Sequence, residues 1–295
     1  MTVRLIRICI RIGFVLFAIT TLAAQTKHPA SGLVLNVDQS KHLVTVSCQE
    51  IPGYMDAMVM TFQTRGSERI EGLAAGVTID FTISTDKNAS FADDIHVHPF
   101  QSLELDPTQA RRLKLMENLM APSGDSQVIA AGQPVPDFSL TDQTQNSIAL
   151  SQLSGKVVAL TFIYTRCPLP DYCFRLSNNF GQLQKRFRTR MGSDLVLLSI
   201  VIDPAHDQPA ALSDYARTWK ADSHAWHFLT GPLPKIAKLA SGFDMNFYPD
   251  EALFVHSFHT VVIDRQGKLV ANLEGNSFSA KQLGDLVETV MAKAN

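Results

Sequence analysis

The chain has 295 residues, with 26 Lys and Arg against 28 Asp and Glu, a formal net charge of -2 and 45% hydrophobic residues. This composition is globular, long enough for one large domain or two ordinary ones, and has no basic excess to attract nucleic acid. GxSxG, HExxH, Walker-type and GxGxxG patterns are absent, which leaves a hydrolase, kinase or dinucleotide enzyme without support.

At the N-terminus, Arg4, Arg7 and Arg11 precede the apolar run Ile12 to Ile19, and small residues follow up to Ala24. Residues 1–24 therefore read as a secretory signal, whose apolar core is short for a membrane span. Left uncleaved, it would act as an N-terminal tether. Export places the protein in the periplasm or another exported location, where thiols pair or bind metal. Cys9 leaves with the signal, so the mature chain keeps Cys48, Cys167 and Cys173, an odd number.

Residues 26–101 read as a small all-β domain. Gly32 to Cys48 alternates apolar and polar residues around a polar turn at 38–41, a hairpin pattern, and 72–83 and 92–100 read as further short strands. Between them, Met58 and Met60 are spaced to face one side of a strand, with Met55 just upstream. Methionine clusters are usually flexible core filler. Here three thioethers follow a cysteine, and soft sulfur donors select Cu(I). His96 and His98 also share a face, the usual pattern of a solvated strand.

Residues 102–131 read as a helical linker: Asp106-Pro107 opens a helix with Leu113, Met116 and Leu119 or Met120 on one face, and Ala121 to Ser126 breaks it.

Residues 132–295 alternate strands and helices. Val157 to Tyr164 (VVALTFIY) has the length and β-branched content of a buried strand, and Phe174, Leu176, Phe180, Leu183 and Phe187 recur at helical spacing after it. Cys167 and Cys173 thus sit in a strand-to-helix turn, where a helix N-terminus favours thiolate. A second buried strand spans Leu195 to Ile202, with a helix over 209–220; a hairpin spans 260–273 and a helix runs from Ser279 to Ala292. The order describes an α/β thioredoxin-like domain behind a small β-barrel. Asp203 closes the second strand in an Asp-Pro turn, and Asp171, between the thiols, disfavours a thiolate. His224 and His227 flank Trp226 in a loop-like stretch and read as surface or packing residues. His259, three residues from His256 on an extended segment, falls on the opposite face.

Two family resemblances emerge from these motifs. VSCQEIPGYMDAMVMTF resembles the metal loop of the periplasmic CusF-like copper-binding domains, OB-type barrels that hold Cu(I) with a histidine and an MxM pair under an aromatic cap. The resemblance implies Met58 and Met60 as ligands, with Cys48 where the family usually has histidine and Met55 near the aromatic cap. PVPDFSLTD, GKVVALTFIYTRCP, LLSIVIDPAHDQPAALSDYA, FLTGP and VHSFHTVVIDRQGKLV are similar, in order, to the Sco/SenC copper chaperones. That similarity implies redox-active, copper-ligating Cys167 and Cys173, with His256 as the third ligand, in a set appropriate to Cu(I) and, with a weak further ligand, Cu(II). Five residues lie between its thiols, where the family usually has three. The function implied is delivery of copper to the binuclear centre of cytochrome c oxidase, or to another periplasmic copper or thiol protein. A metal-free thiol-disulfide oxidoreductase and a copper buffering or tolerance protein are the alternatives.

Overall fold

The computed structural model describes residues 27–65, 70–86, 89–98, 111, 115, 128–250, 253–275 and 277–293. The expected signal and nearly all of the expected linker lie outside the described residues; Arg111 and Leu115 are helical.

Five strands, β1 (Lys27–Asp38), β2 (Leu43–Cys48), β3 (Val59–Thr64), β4 (Thr78–Asp86) and β5 (Ala89–Val97), close into a barrel in the order β1-β2-β3-β5-β4. Val34, Val44, Val46, Cys48, Phe62, Ile79, Phe81 and Ile83 fill its interior. Closure leaves the small sheet no free edge.

The second unit is a seven-stranded sheet in the order β14-β13-β8-β9-β10-β6-β7. Its strands are β6 (Ser139–Asp142), β7 (Ser147–Ala149), β8 (Val157–Ile163), β9 (Leu195–Val201), β10 (Trp226–Thr230), β13 (His259–Ile263) and β14 (Leu269–Glu274). The helices are α1 (Arg175–Arg186), α2 (Pro209–Thr218), α3 (Leu233–Gly242) and α4 (Ala280–Ala292), and a separate hairpin pairs β11 (Phe247–Asp250) with β12 (Leu253–His256). The central strands β8, β9 and β10 are parallel and buried at every position, which is why β8 and β9 read as unbroken apolar runs. The arrangement is thioredoxin-like.

One expectation is corrected. Residues 226–230 form a strand, not a loop, and His227 is buried in it with Nδ1 3.0 Å from Asp142 Oδ2. That partner is far away in sequence, so the histidine looked like an interruption. His224, by contrast, is exposed. His96 and His98 are exposed, as a solvated face requires.

The barrel is packed onto the second unit along β14 and α4. Leu33 and Leu35 join the core of the larger unit. A Cβ on Gly76, whose φ is +91°, would meet the Ala271 Cβ at 2.9 Å, so glycine permits both the backbone turn and the close approach to β14. Ser47 Oγ donates to Asp285 Oδ2 at 2.7 Å, Gln282 Nε2 donates to the Ser47 carbonyl at 3.2 Å, and Lys293 Nζ donates to Asn36 Oδ1 at 3.0 Å. Lys281 and Arg186 also pair with Asp285, at 2.7 and 2.8 Å.

Burial acts to raise the Asp285 carboxyl pKa, but the hydrogen bonds from Lys281, Ser47 and Arg186 outweigh it and hold the group below its usual range. Its contribution is therefore complete above about pH 4 and is lost as the pH falls through the lower folded-state value. Asp285→Ala should cost about 1–3 kcal/mol, since it strands the buried Ser47 hydroxyl and two partly screened cations. Denaturant titration at pH 7 checks this; an unchanged midpoint would mean that the cluster contributes nothing.

Candidate metal centre

Tyr164 and Thr165 carry the chain out of β8 toward the first thiol. Asp207 accepts from the Thr165 backbone N–H at 3.0 Å and from its hydroxyl. Asp203, four residues earlier, accepts from Arg166 Nη2 at 2.6 Å, with His206 Nδ1 at 3.0 Å from its other oxygen. Burial works against the Asp203 charge, yet the bonds from Arg166 and His206 prevail and hold its pKa low. The Asp-Pro turn after β9 thus grips the two residues before Cys167. Sequence reasoning singled out Asp203 and missed Asp207 and Arg166, although IDPAHD places both carboxylates one turn apart.

The five-residue spacer is accommodated by an irregular turn. Leu169 is extended, as a residue before proline prefers to be, and residues 170–174 form one wide π-type turn broken at Tyr172 (φ -113°, ψ -109°) before α1 begins. Cys167 is half-buried and Cys173 fully buried, both as free thiols. His256, at the end of β12, is buried with Nε2 4.0 Å from Cys173 Sγ. Its Nδ1 lies 2.9 Å from the Ser257 carbonyl, so Nδ1–H donates there and the Nε2 lone pair faces the thiol. Tyr164 and Phe258 stand edge-on to the imidazole, with ring centroids 5.8 and 4.6 Å away.

The electrostatics separate the two sulfurs. A hydrogen bond from the Cys173 thiol, helped by the Leu169 backbone and Tyr164, brings Cys167 down to about 6 against the opposing effect of burial. Burial pushes Cys173 well up, and it then acts as the donor. Burial also lowers His256 to about 4, so the imidazole is neutral at physiological pH. The lowered Cys167 value runs against the expectation that Asp171 would disfavour a thiolate there. A thiolate, a thiol able to lose its proton to a metal, and a neutral imidazole form an S₂N set for a soft cation. Among the described residues, no three or more His, Cys, Asp and Glu side chains are drawn together into a ready metal cage; these donors must contract around an ion. His259 does not join them: its Nδ1 is 2.9 Å from Asn272 Oδ1.

The second predicted cluster lies at one end of the barrel. The Cys48 N–H donates to the Met58 carbonyl at 2.9 Å, and Val46 lies opposite Met60. Residues opposed in this way project to the same side, so Cys48, Met58 and Met60 share the face that carries Val46 and Phe62. Met58 is 46% exposed and Cys48 1% exposed. Met55 and Met60 pack partly against the barrel core. Burial pushes the Cys48 thiol up to about 12 despite Lys281 nearby, so it is protonated when no metal is present. Tyr54 stacks on His28 at 3.6 Å beside this loop, a contact that sequence reasoning missed because His28 lies on another strand.

Comparison with known proteins places both units. The SCO1/SenC family model matches residues 127–292, and the model of the copper binding periplasmic protein CusF matches residues 27–96. An SCO2-like protein of Rickettsia typhi is 26% identical over 140 residues, 45% of this chain and 66% of that protein. Protein sco1 of Schizosaccharomyces pombe is 25% identical over 150 residues, 48% of this chain and 55% of that protein. The chain thus spans less than two thirds of the length of these relatives. The crystal structure of a SCO1/SenC family lipoprotein from Bacillus anthracis superposes with a TM-score of 0.48 at 24% identity, covering 55% of this chain and 99% of that one.

The difference between the thiols should be visible in alkylation. Iodoacetamide should modify Cys167 about tenfold more slowly at pH 5 than at pH 7, with a plateau above that, while Cys173 stays unreactive. A Cys167 rate still climbing steeply between pH 7 and pH 9 would contradict the assignment.

Proposed function

The chain belongs to the SCO1/SenC family, and from that premise we propose that it is an exported Cu(I) chaperone with two copper sites, serving assembly of the binuclear copper centre of cytochrome c oxidase. The observation that carries the reading is the run of contacts from Cys167 to Cys173 and from Cys173 to the unprotonated Nε2 of His256. Copper is cargo here. Cys167 offers a thiolate at neutral pH, Cys173 releases a proton as it binds, and His256 needs no deprotonation. The aromatic rings of Tyr164, backed by Phe254, and of Phe258 stand against the imidazole and limit water access. The barrel's Cys48, Met58 and Met60, with Met55 beside them, supply the second soft site; the match of that segment to CusF supports it.

The signal-like segment at 1–24 supports export to the periplasm, as does the description of CusF as periplasmic. Among the described residues no helix is long and apolar enough to cross a membrane. Partners of matching chemistry are the copper subunit of the oxidase and other periplasmic copper or thiol proteins.

A second reading draws on the unequal thiols. A reactive Cys167 beside a buried Cys173 is also the arrangement of an attacking and a resolving thiol, so disulfide exchange is a companion activity of the same pair.

Anaerobic titration against a chromophoric Cu(I) chelator should give about two equivalents bound per chain, as two soft donor sets require. Cys167→Ser and His256→Ala should each remove the second-unit share and leave the barrel's. Unchanged total copper in both variants would refute the chaperone reading. Turnover on a protein disulfide without copper, lost in Cys167→Ser, would favour the exchange reading.

A further inference from the structure

The two sulfur clusters open at the same end of the molecule. β14 and β8 are both antiparallel to β13 and therefore run in the same direction. Glu274, the last residue of β14, pairs with His259, one position before the Thr260–Thr161 pair, so β14 ends at the level where β8 leads into the thiols. α4 starts six residues later, from that end. Its first two turns hold Ser47 through Gln282 and Asp285, while Lys293 beyond its other end holds Asn36. Gly32 pairs with Cys48, so β1 runs alongside α4 from Gly32 toward Asn36. The residues beyond Cys48, through Met58, therefore project past the start of α4, toward the end that carries Cys167.

Each cluster has one accessible sulfur and buried partners: Met58 is 46% exposed against 1% for Cys48, and half-buried Cys167 stands before Cys173 and His256, 1% and 8% exposed. Thioethers are neutral donors that need no deprotonation, suited to taking up an ion from solution. Two thiolates and an imidazole bind a soft monovalent ion more strongly. Ser47, Asp285, Gln282 and the Gly76 contact hold the barrel donors in fixed relation to the unit that carries the thiol pair.

We propose that Cu(I) captured at Met58, Met60 and Cys48 passes within the same chain to Cys167, Cys173 and His256. The proposal rests on the two-site reading above. Copper remains Cu(I) throughout. Protons lost by thiols that bind the ion are matched by protons regained by thiols that release it or go to solvent, so ligand exchange balances without an oxidant or reductant.

The test uses the full chain, after equilibrium titration has established whether each site takes Cu(I). One equivalent of Cu(I) is supplied anaerobically from a chelator, and loading of the thiol pair is followed by protection of Cys167 from alkylation, read by mass spectrometry. Protection is expected to follow a first-order phase whose rate is independent of protein concentration. The Met58→Leu, Met60→Leu double variant should load the thiols about tenfold or more slowly at micromolar protein, because it loses the high effective concentration of a donor on the same chain. Its final occupancy of Cys167 should be unchanged. Asp285→Ala, which loosens the barrel from α4, should slow loading with both methionines intact. A rate proportional to protein concentration, or an unchanged rate in the double variant, would overturn transfer while leaving both sites standing. Failure of either site to bind at equilibrium would overturn the two-site reading itself, and transfer with it.

Discussion

Burial of the His256 imidazole, with its Nδ1–H committed to the Ser257 carbonyl, leaves a single lone pair inside an otherwise apolar corner of the molecule. Everything around that lone pair follows from the cost of charging it there. The ring stays neutral, so the adjacent Cys173 has no imidazolium to stabilise a thiolate, and burial keeps it protonated. Its S–H is then available to Cys167, where the negative charge settles at the more accessible sulfur. An incoming soft cation meets charge at the mouth and a neutral donor pair behind it, and the proton of Cys173 leaves only when metal replaces it.

That asymmetry depends on the backbone reaching Cys167 in one conformation. β8 cannot shift in register without moving a strand buried on both faces. Where its pairing ends, Asp207 and Asp203 take over by binding Thr165 and Arg166. The wide turn after Leu169 then absorbs the two residues by which the spacer exceeds the three usual in the Sco/SenC pattern. The longer spacer is thus taken up in the turn that carries Cys173 itself, closed against Phe258 by Tyr172.

Much of this was legible in the sequence where the pattern is local. VVALTFIY and LVLLSIVI read as strands because parallel strands covered on both faces are apolar throughout. The final helix was placed from Ser279, which with Gln282 forms a capping box in the structure. Strand 226–230 was hidden because His227 is paid for by Asp142, 85 residues away. Ser47 and Asp285 are separated by 238 residues, and no spacing rule connects them. One signal was available for the docked face: Leu33-Val34-Leu35 is an apolar run rather than an alternation, which marks a strand covered on both sides, and both leucines do enter the second core. At the candidate site, residue types and order pointed to Cys167, Cys173 and His256, but the unequal ionisation of the thiols depends on burial and hydrogen bonds that only the fold supplies.

The docked face also bears on why a cysteine can stand at position 48. A thiol there is pushed up to about 12 by burial, so without metal it is a small neutral group that costs the barrel core little. Binding a soft ion must displace its proton, which makes uptake at that cluster weaker as pH falls. Met58 and Met60 carry no such dependence. On the two-site proposal, the sulfur set would combine two donors indifferent to pH with one that resists ionisation, and would hold copper more loosely than a pair containing a preformed thiolate. The gradient in affinity that the proposed transfer needs would then come from the burial of one thiol and the hydrogen bonding of another, with no change in the metal's oxidation state.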